Sequence, residues 1–544
     1  MFDVLIVGGG VIGCAIAREC SRHAWKICLA EKEHDLSMGA SGANSGIVHA
    51  GFDAHPGTTA ARFNVEGNPL FDDMAAELGF KFRRNGSLVL AFSGEELRVL
   101  DDLLERGRQN GVPLLQRLSR EQVLAMEPGL NPEVTGALHA PTGGIVCPYD
   151  MTVALAENAA VNGVRFLRGW EVTGIRTISE EECRHIDPGC TGTGFAVTLE
   201  NREGYGFDDF MPVRSPLQPQ LQPQLQPQPQ PQLQPQPQPQ AQAPVRILHA
   251  RCIVNAAGIH ADHIAALAGA HADMEEILPR RGEYLVLDKS AGFPLKHTLF
   301  NVPGPYGKGV LVTPSVDGNI LVGPNARDVS ARDDTETTRE GQDEIRAMAR
   351  RSVPGLPLSR IIKSFAGLRA ISGQDFTVGA SLSVPGLFHA GGICSPGLTA
   401  APAIARRLAE LLREAGLPDV PNPEFHPRRI PIPRFAALDN TNRQRLIRSN
   451  PAFGRVVCRC ENVTEAEIVE AIRRPCGARS VDGVKRRVRP GMGRCQGGFC
   501  LTRVMEILSR ELDIPLIDVT KNGNGSAILA QPIRLPRNRP GVDA

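Results

Sequence analysis

The sequence predicts an α/β chain with a Rossmann-like nucleotide-binding domain, a domain built on an antiparallel sheet (α+β), and a small C-terminal domain. Three observations predict this class: a glycine-rich strand–turn–helix unit at residues 3–20, alternating apolar strands at 279–323, and four cysteines beyond residue 455. A length of 544 residues is enough for two or three such domains.

The N-terminal unit is typical of a dinucleotide site. An apolar strand runs into Gly8-x-Gly10-x-x-Gly13, and a helix follows. The first glycine suits a tight turn, the second lets the backbone approach a pyrophosphate, and the third lets helix and strand pack closely. A second predicted strand, 26–30, ends at Glu31, where an acid can hold a ribose hydroxyl. We therefore expect a bound dinucleotide rather than an empty glycine turn.

Composition and charge exclude several function classes. The net charge is +1, which gives no field to attract nucleic acid or an anionic membrane. No apolar run approaches the roughly 20 residues of a membrane helix. The first strand begins at Asp3, which leaves no room for a targeting peptide. We expect a cytoplasmic chain with reduced cysteines. We expect no nucleic-acid partner and no membrane span, so any association with a membrane would come through a partner.

The middle of the chain alternates elements with loops rich in small residues. Residues 39–51 are mostly small or polar, contain the single imidazole of His49, and can lie close against a large ligand. A helix is predicted at 58–78. The Pro-Gln repeat within 212–244 predicts a disordered insert of polyproline II character in a hairpin loop, which the flanking strands can tolerate. Residues 387–412 form a second unit of a strand, two glycines and the beginning of a helix, which can bind a polar group of a ligand.

These stretches together resemble the FAD-dependent oxidoreductases of the D-amino-acid-oxidase type. Within that group they look most like the catalytic subunits of anaerobic glycerol-3-phosphate dehydrogenases and like L-2-hydroxyglutarate oxidases. The C-terminal domain resembles the BFD-like [2Fe-2S] domain of the anaerobic enzymes, which implies a mainly helical fold. The matching stretches are the N-terminal glycine motif with Glu31, 45–51, 254–258, 279–284, 367–369, 395–399 and the C-terminal cysteines.

The resemblance implies domain boundaries and cofactor contacts. FAD-binding segments are expected at 1–80, 143–275 and 365–415, a substrate domain at 81–142 and 276–364, a linker at 416–434, the BFD-like domain at 435–520, and a tail at 521–544. FAD contacts are expected from Gly8, Gly10, Gly13, Glu31, Ser41, Asn44, Ser45, Gly46, Ala257, Gly258, Gly391, Gly392, Gly397, Leu398 and Thr399.

The four C-terminal cysteines predict a metal centre. Cys458-x-Cys460 and Cys495-x₄-Cys500 supply four thiolates, which suit a [2Fe-2S] cluster. The glycines around Cys495 can turn backbone N–H groups toward the cluster sulfurs. A structural zinc site and buried free thiols are the alternatives.

Seven basic residues lie between the two cysteine pairs. They favour either a solvated face or a positive surface that docks an acidic electron-transfer partner, and the sequence does not separate these interpretations. The residues are Arg473, Arg474, Arg479, Lys485, Arg486, Arg487 and Arg489.

The expected reaction is oxidation of a small anionic secondary alcohol, with hydride passing to flavin and electrons leaving through the cluster. Arg369 is the candidate anchor for the anionic group, with a structural ion pair as the alternative. His49 is the candidate base, with simple packing on the flavin as the alternative. Tyr284 and Lys308 are expected to line the pocket.

Other substrates and roles stay open. His260 and His389 are weaker candidates for the base. Where the glycerol-3-phosphate enzymes carry Arg-Tyr, this sequence has Phe52-Asp53-Ala54-His55, so a 2-hydroxy acid competes as substrate. An amine or imino-acid oxidoreductase and a flavin/iron–sulfur electron-transfer subunit without its own substrate are the other readings. An electron-acceptor protein or a quinone-linked partner subunit is expected.

Overall fold

The computed structural model describes residues 1–190, 192–201, 207–208, 244–304 and 309–531. The Pro-Gln repeat, Lys308 and the end of the tail lie outside the described residues. The strands are β1 (Phe2–Val7), β2 (Ile27–Glu31), β3 (Ile47–Val48), β4 (Phe82–Arg83), β5 (Ser87–Ala91), β6 (Gln116–Ser119), β7 (Gly136–Ala140), β8 (Gly144–Val146), β9 (Arg165–Arg168), β10 (Glu171–Ile178), β11 (Gly194–Glu200), β12 (Phe207–Asp208), β13 (Val245–Asn255), β14 (Leu278–Leu287), β15 (Thr298–Asn301), β16 (Val312–Pro314), β17 (Ile320–Val322), β18 (Arg327–Asp328), β19 (Ile361–Ile371), β20 (Thr377–Ala380), β21 (Leu387–Gly391), β22 (Val456–Cys458) and β23 (Val463–Thr464).

The α-helices fall between these strands and dominate the C-terminal part. They are α1 (Val11–Cys20), α2 (Thr59–Gly67), α3 (Leu70–Leu78), α4 (Gly94–Gln109), α5 (Arg120–Met126), α6 (Pro148–Val161), α7 (Glu180–Ile186), α8 (Ala261–Leu267), α9 (Arg339–Ser352), α10 (Gly397–Glu414), α11 (Asn440–Ser449), α12 (Glu465–Arg473), α13 (Val481–Val488) and α14 (Leu501–Leu512). Among the described residues, none of these helices combines the length and apolar composition needed to cross a bilayer.

The first sheet has a parallel centre, in the order β21-β13-β1-β2-β9. β1 is buried on both faces, as expected for a parallel strand covered on two sides. Val4 and Ile6 face a core shared with α1, α6 and α10, whereas Leu5 and Val7 face a second core on the other side. β13 changes partner along its length: its first half pairs antiparallel with β11, and its end pairs parallel with β21.

The second sheet follows the order β18-β14-β17-β16-β15-β5-β7-β6 and is antiparallel except for the β15–β5 pair. Its longest pairing joins β14 to β19 from Leu278–Ile371 to Leu287–Ile361. Residues 365–371, which the resemblance placed at the start of the third FAD-binding segment, therefore lie in the second sheet. A three-stranded sheet, β3-β8-β4, lies apart from both.

The single helix predicted at 58–78 is wrong, because the chain forms two helices there. α2 ends at Gly67, and α3 begins at Leu70 after Asn68-Pro69. Proline has no backbone N–H to donate, so the helical hydrogen-bond ladder breaks at this point. The break frees the Asn68 side chain, which donates to the carbonyl of His49 at 2.9 Å.

The C-terminal domain is small and mainly helical, as predicted. Its apolar core is formed by one face each of α12, α13 and α14, with Ile468, Val484 and Leu508 fully buried. It docks onto the first two domains through three buried carboxylates that lie outside it: Asp35, Glu157 and Asp317.

Each of these carboxylates receives two arginines from the segment after residue 428. Asp35 accepts from Arg486 at 2.9 Å and from Arg487 at 2.8 Å, and it also pairs with Arg168 of β9 at 3.1 Å. Asp35 and Arg168 have no exposed side-chain surface. Burial alone would raise the pKa of Asp35, but the attraction of Arg487 and Arg486 outweighs it and holds this pKa well below its usual value.

The other two carboxylates repeat the arrangement. Glu157 of α6 accepts from Arg429 at 2.6 Å and from Arg474 at 3.0 Å. Asp317 pairs with Arg489 at 2.7 Å and with Arg434 at 3.9 Å.

The basic residues between the cysteine pairs are therefore not, as a group, a solvated face. The side chains of Arg474, Arg486, Arg487 and Arg489 are buried or nearly so. Sequence reasoning missed their partners because the three acids lie more than 150 residues away in the chain.

We predict that Asp35→Asn lowers the free energy of unfolding by about 3–5 kcal/mol, because it leaves three buried guanidinium groups around a neutral side chain. Urea denaturation followed by the fluorescence of Trp25 and Trp170 measures the change. Because its folded pKa is depressed, the contribution of Asp35 is present above pH about 4 and is lost as the pH falls through that pKa.

The matched control is Asp419→Asn, which removes a carboxylate that is 65% exposed and pairs with Arg413 at 3.1 Å. This change should shift stability by less than about 0.5 kcal/mol. Equal losses of unfolding free energy in the two variants would show that the buried ion pairs of Asp35 stabilise the fold no more than an exposed pair does.

Candidate functional site

A cavity of about 1280 Å³ runs between the first and second sheets. Twelve of the predicted site residues line it: Gly8, Gly10, Glu31, Ser41, Asn44, Ser45, His49, Ala257, Gly258, Arg369, Gly397 and Leu398. Five do not reach its surface: Gly13, Gly46, Gly391, Gly392 and Thr399.

The glycine motif forms a close-packed turn at one end of the cavity. At Gly8, whose φ is +115°, an added Cβ would lie 2.4 Å from the carbonyl oxygen of Ala256. At Gly13 it would lie 2.0 Å from the carbonyl oxygen of Gly8. Helix and strand can thus approach only because these residues lack side chains. The N-terminus of α1 opens toward the cavity, and Ser41 Oγ accepts from the N–H of Val11 at 2.8 Å.

Glu31 ends β2 at the same end of the cavity. Its carboxylate accepts the N–H of Gly9 and, at 2.8 Å, the N–H of Glu33. Burial raises the pKa of Glu31 to about 7, although these two hydrogen bonds act in the opposite direction. An acceptor beside glycine backbone and a helix N-terminus fits the ribose and pyrophosphate of a dinucleotide.

His49 stands in another part of the cavity, directly after β3. Its N–H donates to Thr399 Oγ1 at 2.9 Å, so Thr399 holds the backbone of His49. The ring Nε2 lies 3.1 Å from Ser395 Oγ, and the ring is 5.9 Å from that of Phe300. Backbone and ring are therefore both held, and the imidazole faces the cavity.

Arg369 and Tyr284 lie on the paired strands β19 and β14. Arg369 donates to the carbonyl of Asn325 at 2.8 Å. The Tyr284 ring stacks on Phe365 at 4.7 Å. Burial raises the pKa of the Tyr284 hydroxyl, while Arg369 and a hydrogen bond from Ser45 lower it.

Arg369 differs from the other cations of the cavity. Four lysine and arginine side chains line its described part: Lys32, Arg332, Arg351 and Arg369. The first three pair with Glu33, Asp262 and Glu96. In the described part of the chain, no salt bridge joins Arg369 to a carboxylate, so its charge is available to an anion.

The remaining candidate bases lie elsewhere. His389 is buried outside the cavity, and its Nε2 lies 3.7 Å from Asp273. His260 lines the cavity, and its Nε2 lies 3.2 Å from Lys32 Nζ. Lys308 lies outside the described residues.

The structure brings the four cysteines together in two pairs. Cys460 Sγ and Cys495 Sγ are 3.4 Å apart, and Cys458 shares a hydrogen bond with Cys500. The N–H of Gly491 points at the Cys458 sulfur, and the N–H groups of Gly497 and Phe499 point at that of Cys495. Four thiols ringed by backbone amides fit a [2Fe-2S] cluster, whose sulfurs accept such hydrogen bonds.

A contact between α6 and the loop beside the cysteines was not predicted. Tyr149 Oη lies 3.4 Å from Met492 Sδ and 3.4 Å from Arg489 Nη1. Met492 follows Gly491, whose N–H faces Cys458. Tyr149 is the second residue of α6, which follows β8, where the N–H of Val146 donates to the carbonyl of Gly46 at 2.8 Å. Nothing in either stretch of sequence predicts the other.

Comparisons with known proteins agree with both sites. The family model described as FAD dependent oxidoreductase matches residues 3–204 and 235–411. The model described as BFD-like [2Fe-2S] binding domain matches residues 456–510.

Two relatives and one solved structure illustrate the similarity. A glycerol 3-phosphate dehydrogenase of Caloramator mitchellensis is 41% identical over 98% of this chain and 99% of its own. A glycerol 3-phosphate oxidase of Mycoplasma pneumoniae is 34% identical over 75% of this chain and 94% of its own. The FAD-bound structure of L-α-glycerophosphate oxidase from Mycoplasma pneumoniae superposes with a TM-score of 0.63 at 31% identity, covering 79% of this chain and 98% of its own.

The predicted fold and both predicted cofactors are thus confirmed. The site that the glycine motif, Glu31, His49 and Arg369 surround is the flavin cavity of an oxidoreductase, and the chain belongs to the FAD dependent oxidoreductase family, with a C-terminal BFD-like [2Fe-2S] domain.

Proposed function

We propose that the protein is a dehydrogenase that oxidises the secondary alcohol of glycerol 3-phosphate to a ketone and passes the electrons out through its iron–sulfur domain. The observation that carries the proposal is the 41% identity to a glycerol 3-phosphate dehydrogenase over nearly the full length of both chains. That similarity extends over the flavin domains and the iron–sulfur domain together.

Arg369 binds the anionic end of the substrate. Its guanidinium lines the cavity and already donates one hydrogen bond to Asn325, which fixes its position. The remaining N–H groups can form charge-assisted hydrogen bonds with a phosphate. Tyr284, hydrogen-bonded to Arg369 and stacked on Phe365, limits the movement of the guanidinium.

His49 removes the hydroxyl proton of the substrate at Nε2. Bound FAD supplies the hydride acceptor for the carbon-bound hydrogen. Thr399 and Asn68 hold the backbone of His49, and Ser395 orients its ring. Because a hydroxyl can both donate and accept, Ser395 can keep its contact when the imidazole gains the proton.

The residues proposed to lie on the route of electrons toward the four cysteines are those at the contact between α6 and the loop that carries Met492. Gly46 accepts from Val146, Tyr149 follows three residues later, and Tyr149 contacts Met492 beside the cluster-facing amide of Gly491. An acceptor protein or a quinone-linked partner subunit then takes the electrons, and such a partner would also bring the chain to a membrane surface.

A second candidate substrate is a carboxylate-bearing 2-hydroxy acid. The observation that favours it is the segment Phe52-Asp53-Ala54-His55, which lacks the Arg-Tyr pair of the glycerol-3-phosphate enzymes and so lacks a phosphate ligand there. Arg369 would then bind the carboxylate.

Anaerobic mixing of the FAD-loaded protein with single substrates tests the proposal. Glycerol 3-phosphate should bleach the flavin absorbance and then give the paramagnetic signal of a reduced [2Fe-2S] cluster. L-2-Hydroxyglutarate, glycerol and a set of amino acids are the competing substrates. Bleaching by a hydroxy acid or an amino acid alone would replace the proposed substrate, and no bleaching by any of them would favour a pure electron-transfer subunit.

The Cys495→Ser variant separates the two halves of the proposal. Bleaching should persist in this variant, while the cluster signal is lost. Loss of bleaching as well would contradict a cluster that only receives electrons.

Arg369→Leu should lower kcat/KM for glycerol 3-phosphate by about 100-fold, because it removes the charge-assisted hydrogen bonds to the anion. Arg369→Lys keeps the charge but not the paired geometry, so it should recover part of the loss. Steady-state kinetics with an artificial acceptor measures both. Unchanged kinetics in the leucine variant would remove Arg369 from the anchor role.

The affinity of the apoprotein for FAD should rise several-fold between pH 6 and pH 8. Ribose hydroxyls donate to the ionised form of Glu31, and because its pKa is about 7, a proton must be displaced below that pH. Titration of the apoprotein with FAD, followed by the quenching of flavin fluorescence, gives the dissociation constant at each pH. Glu31→Gln should bind FAD more weakly and with a flat profile; the same slope in the variant would exclude Glu31 as its origin.

A further inference from the structure

An exposed surface lies next to the four cysteines and is not used by the rest of the chain. We name it the cluster-edge surface and define it by five residues of β22, α14 and the adjoining loops: Arg455, Val456, Arg459, Phe499 and Arg503. Phe499 is 87% exposed and Val456 is 45% exposed. An aromatic side chain this exposed is unusual for a solvated loop and is typical of an interaction site.

Two contacts show that these residues form one surface. Phe499 precedes Cys500 and Arg459 follows Cys458, and those two cysteines share a hydrogen bond. Arg455 and Arg503 both pair with Glu465, at 2.8 and 3.3 Å. The strand and the helix are thus joined on both sides of the exposed phenylalanine.

The exposed charge of this surface is positive. Glu465 is buried, and the nearly buried side chain of Glu461 pairs with Lys289 and Arg489. One exposed carboxylate, Glu506, pairs with Arg503 at 2.7 Å, so the three arginines of the surface outnumber its one exposed acid. The side chains of Arg455 and Arg503 remain about half exposed, and Arg459 is exposed. This charge arrangement differs from that of the buried arginines that dock the domain, which are neutralised inside the molecule.

Resting on the proposed function, we propose that the cluster-edge surface docks an electron-carrier protein whose own redox centre is ringed by carboxylates. An apolar residue at the centre and arginines around it fit an apolar spot with an acidic rim. Phe499 and Arg459 are also the chain neighbours of Cys500 and Cys458, so a partner seated there lies next to two of the predicted cluster ligands. One electron leaves the cluster for each partner molecule reduced, and two partner molecules are reduced for each alcohol oxidised to a ketone.

Two soluble haem proteins of opposite charge test the proposal: cytochrome b5, which is acidic, and cytochrome c, which is basic. The complete enzyme with both cofactors should reduce ferric cytochrome b5 faster at low than at high salt, and it should disfavour cytochrome c at low salt. Phe499→Ser and Arg459→Glu should each lower kcat/KM for cytochrome b5 by about tenfold. Isothermal titration calorimetry with oxidised cytochrome b5 and no substrate should show the same loss of affinity without turnover.

Matched controls are changes of the same type elsewhere on the surface. Leu382 is 95% exposed and Arg339 is 91% exposed, both far from the cysteines in the chain. Leu382→Ser and Arg339→Glu should leave the affinity for cytochrome b5 unchanged. In all four variants, bleaching by glycerol 3-phosphate should match that of the unchanged protein, because none of the four residues lines the cavity.

Three results are decisive. If cytochrome b5 binds and is reduced equally by all variants, the surface is not the docking site. If Phe499→Ser abolishes binding to anionic phospholipid vesicles but leaves cytochrome b5 reduction unchanged, the surface serves a membrane and the proposal fails. If glycerol 3-phosphate fails to bleach the flavin while dithionite-reduced enzyme still reduces cytochrome b5 with the predicted losses, the proposed substrate fails and the docking surface stands.

Discussion

The position of the iron–sulfur domain depends on one buried carboxylate. Asp35 lies four residues after Glu31, on the loop that leaves the nucleotide end of the cavity, and it binds the helix that precedes the second cysteine pair. Because Asp35 has no exposed side-chain surface and three guanidinium groups surround it, this contact is costly to open. The loop that shapes the nucleotide end is therefore also the loop that fixes the second redox centre.

This attachment bears on how, under the proposed function, a two-electron reaction and a one-electron carrier can share a chain. The proposed reaction takes place in the cavity, where His49 and Arg369 are held by their neighbours. The cysteines belong to a domain whose Phe499 is exposed. Buried ion pairs and the contact of Tyr149 with Met492 hold this domain against the rest of the molecule, so the proposal requires no movement of a domain.

Much of this could be predicted from the sequence, because the signals are local. The glycine motif with Glu31 and the four cysteines each carry their chemistry within a short stretch. The docking contacts could not be predicted, since Asp35, Glu157 and Asp317 find their arginines only through the tertiary fold. For the same reason the hydrogen bond from the backbone of His49 to the Thr399 hydroxyl could not be predicted, because the two residues are 350 positions apart. Pro69 is a signal for a break between α2 and α3. The regular apolar spacing on both sides of it nevertheless favoured one continuous helix.

The pairing of β1 has a consequence for biosynthesis. One edge of β1 is covered by β2 early, but the other pairs with β13, from Phe2 with Ala250 to Val7 with Asn255. At roughly 5–20 residues per second, the ribosome delivers that partner about ten to fifty seconds after the first strand. During this interval an apolar strand edge stays open to other nascent chains. Chaperones that shield such edges should therefore matter most before β13 has been translated.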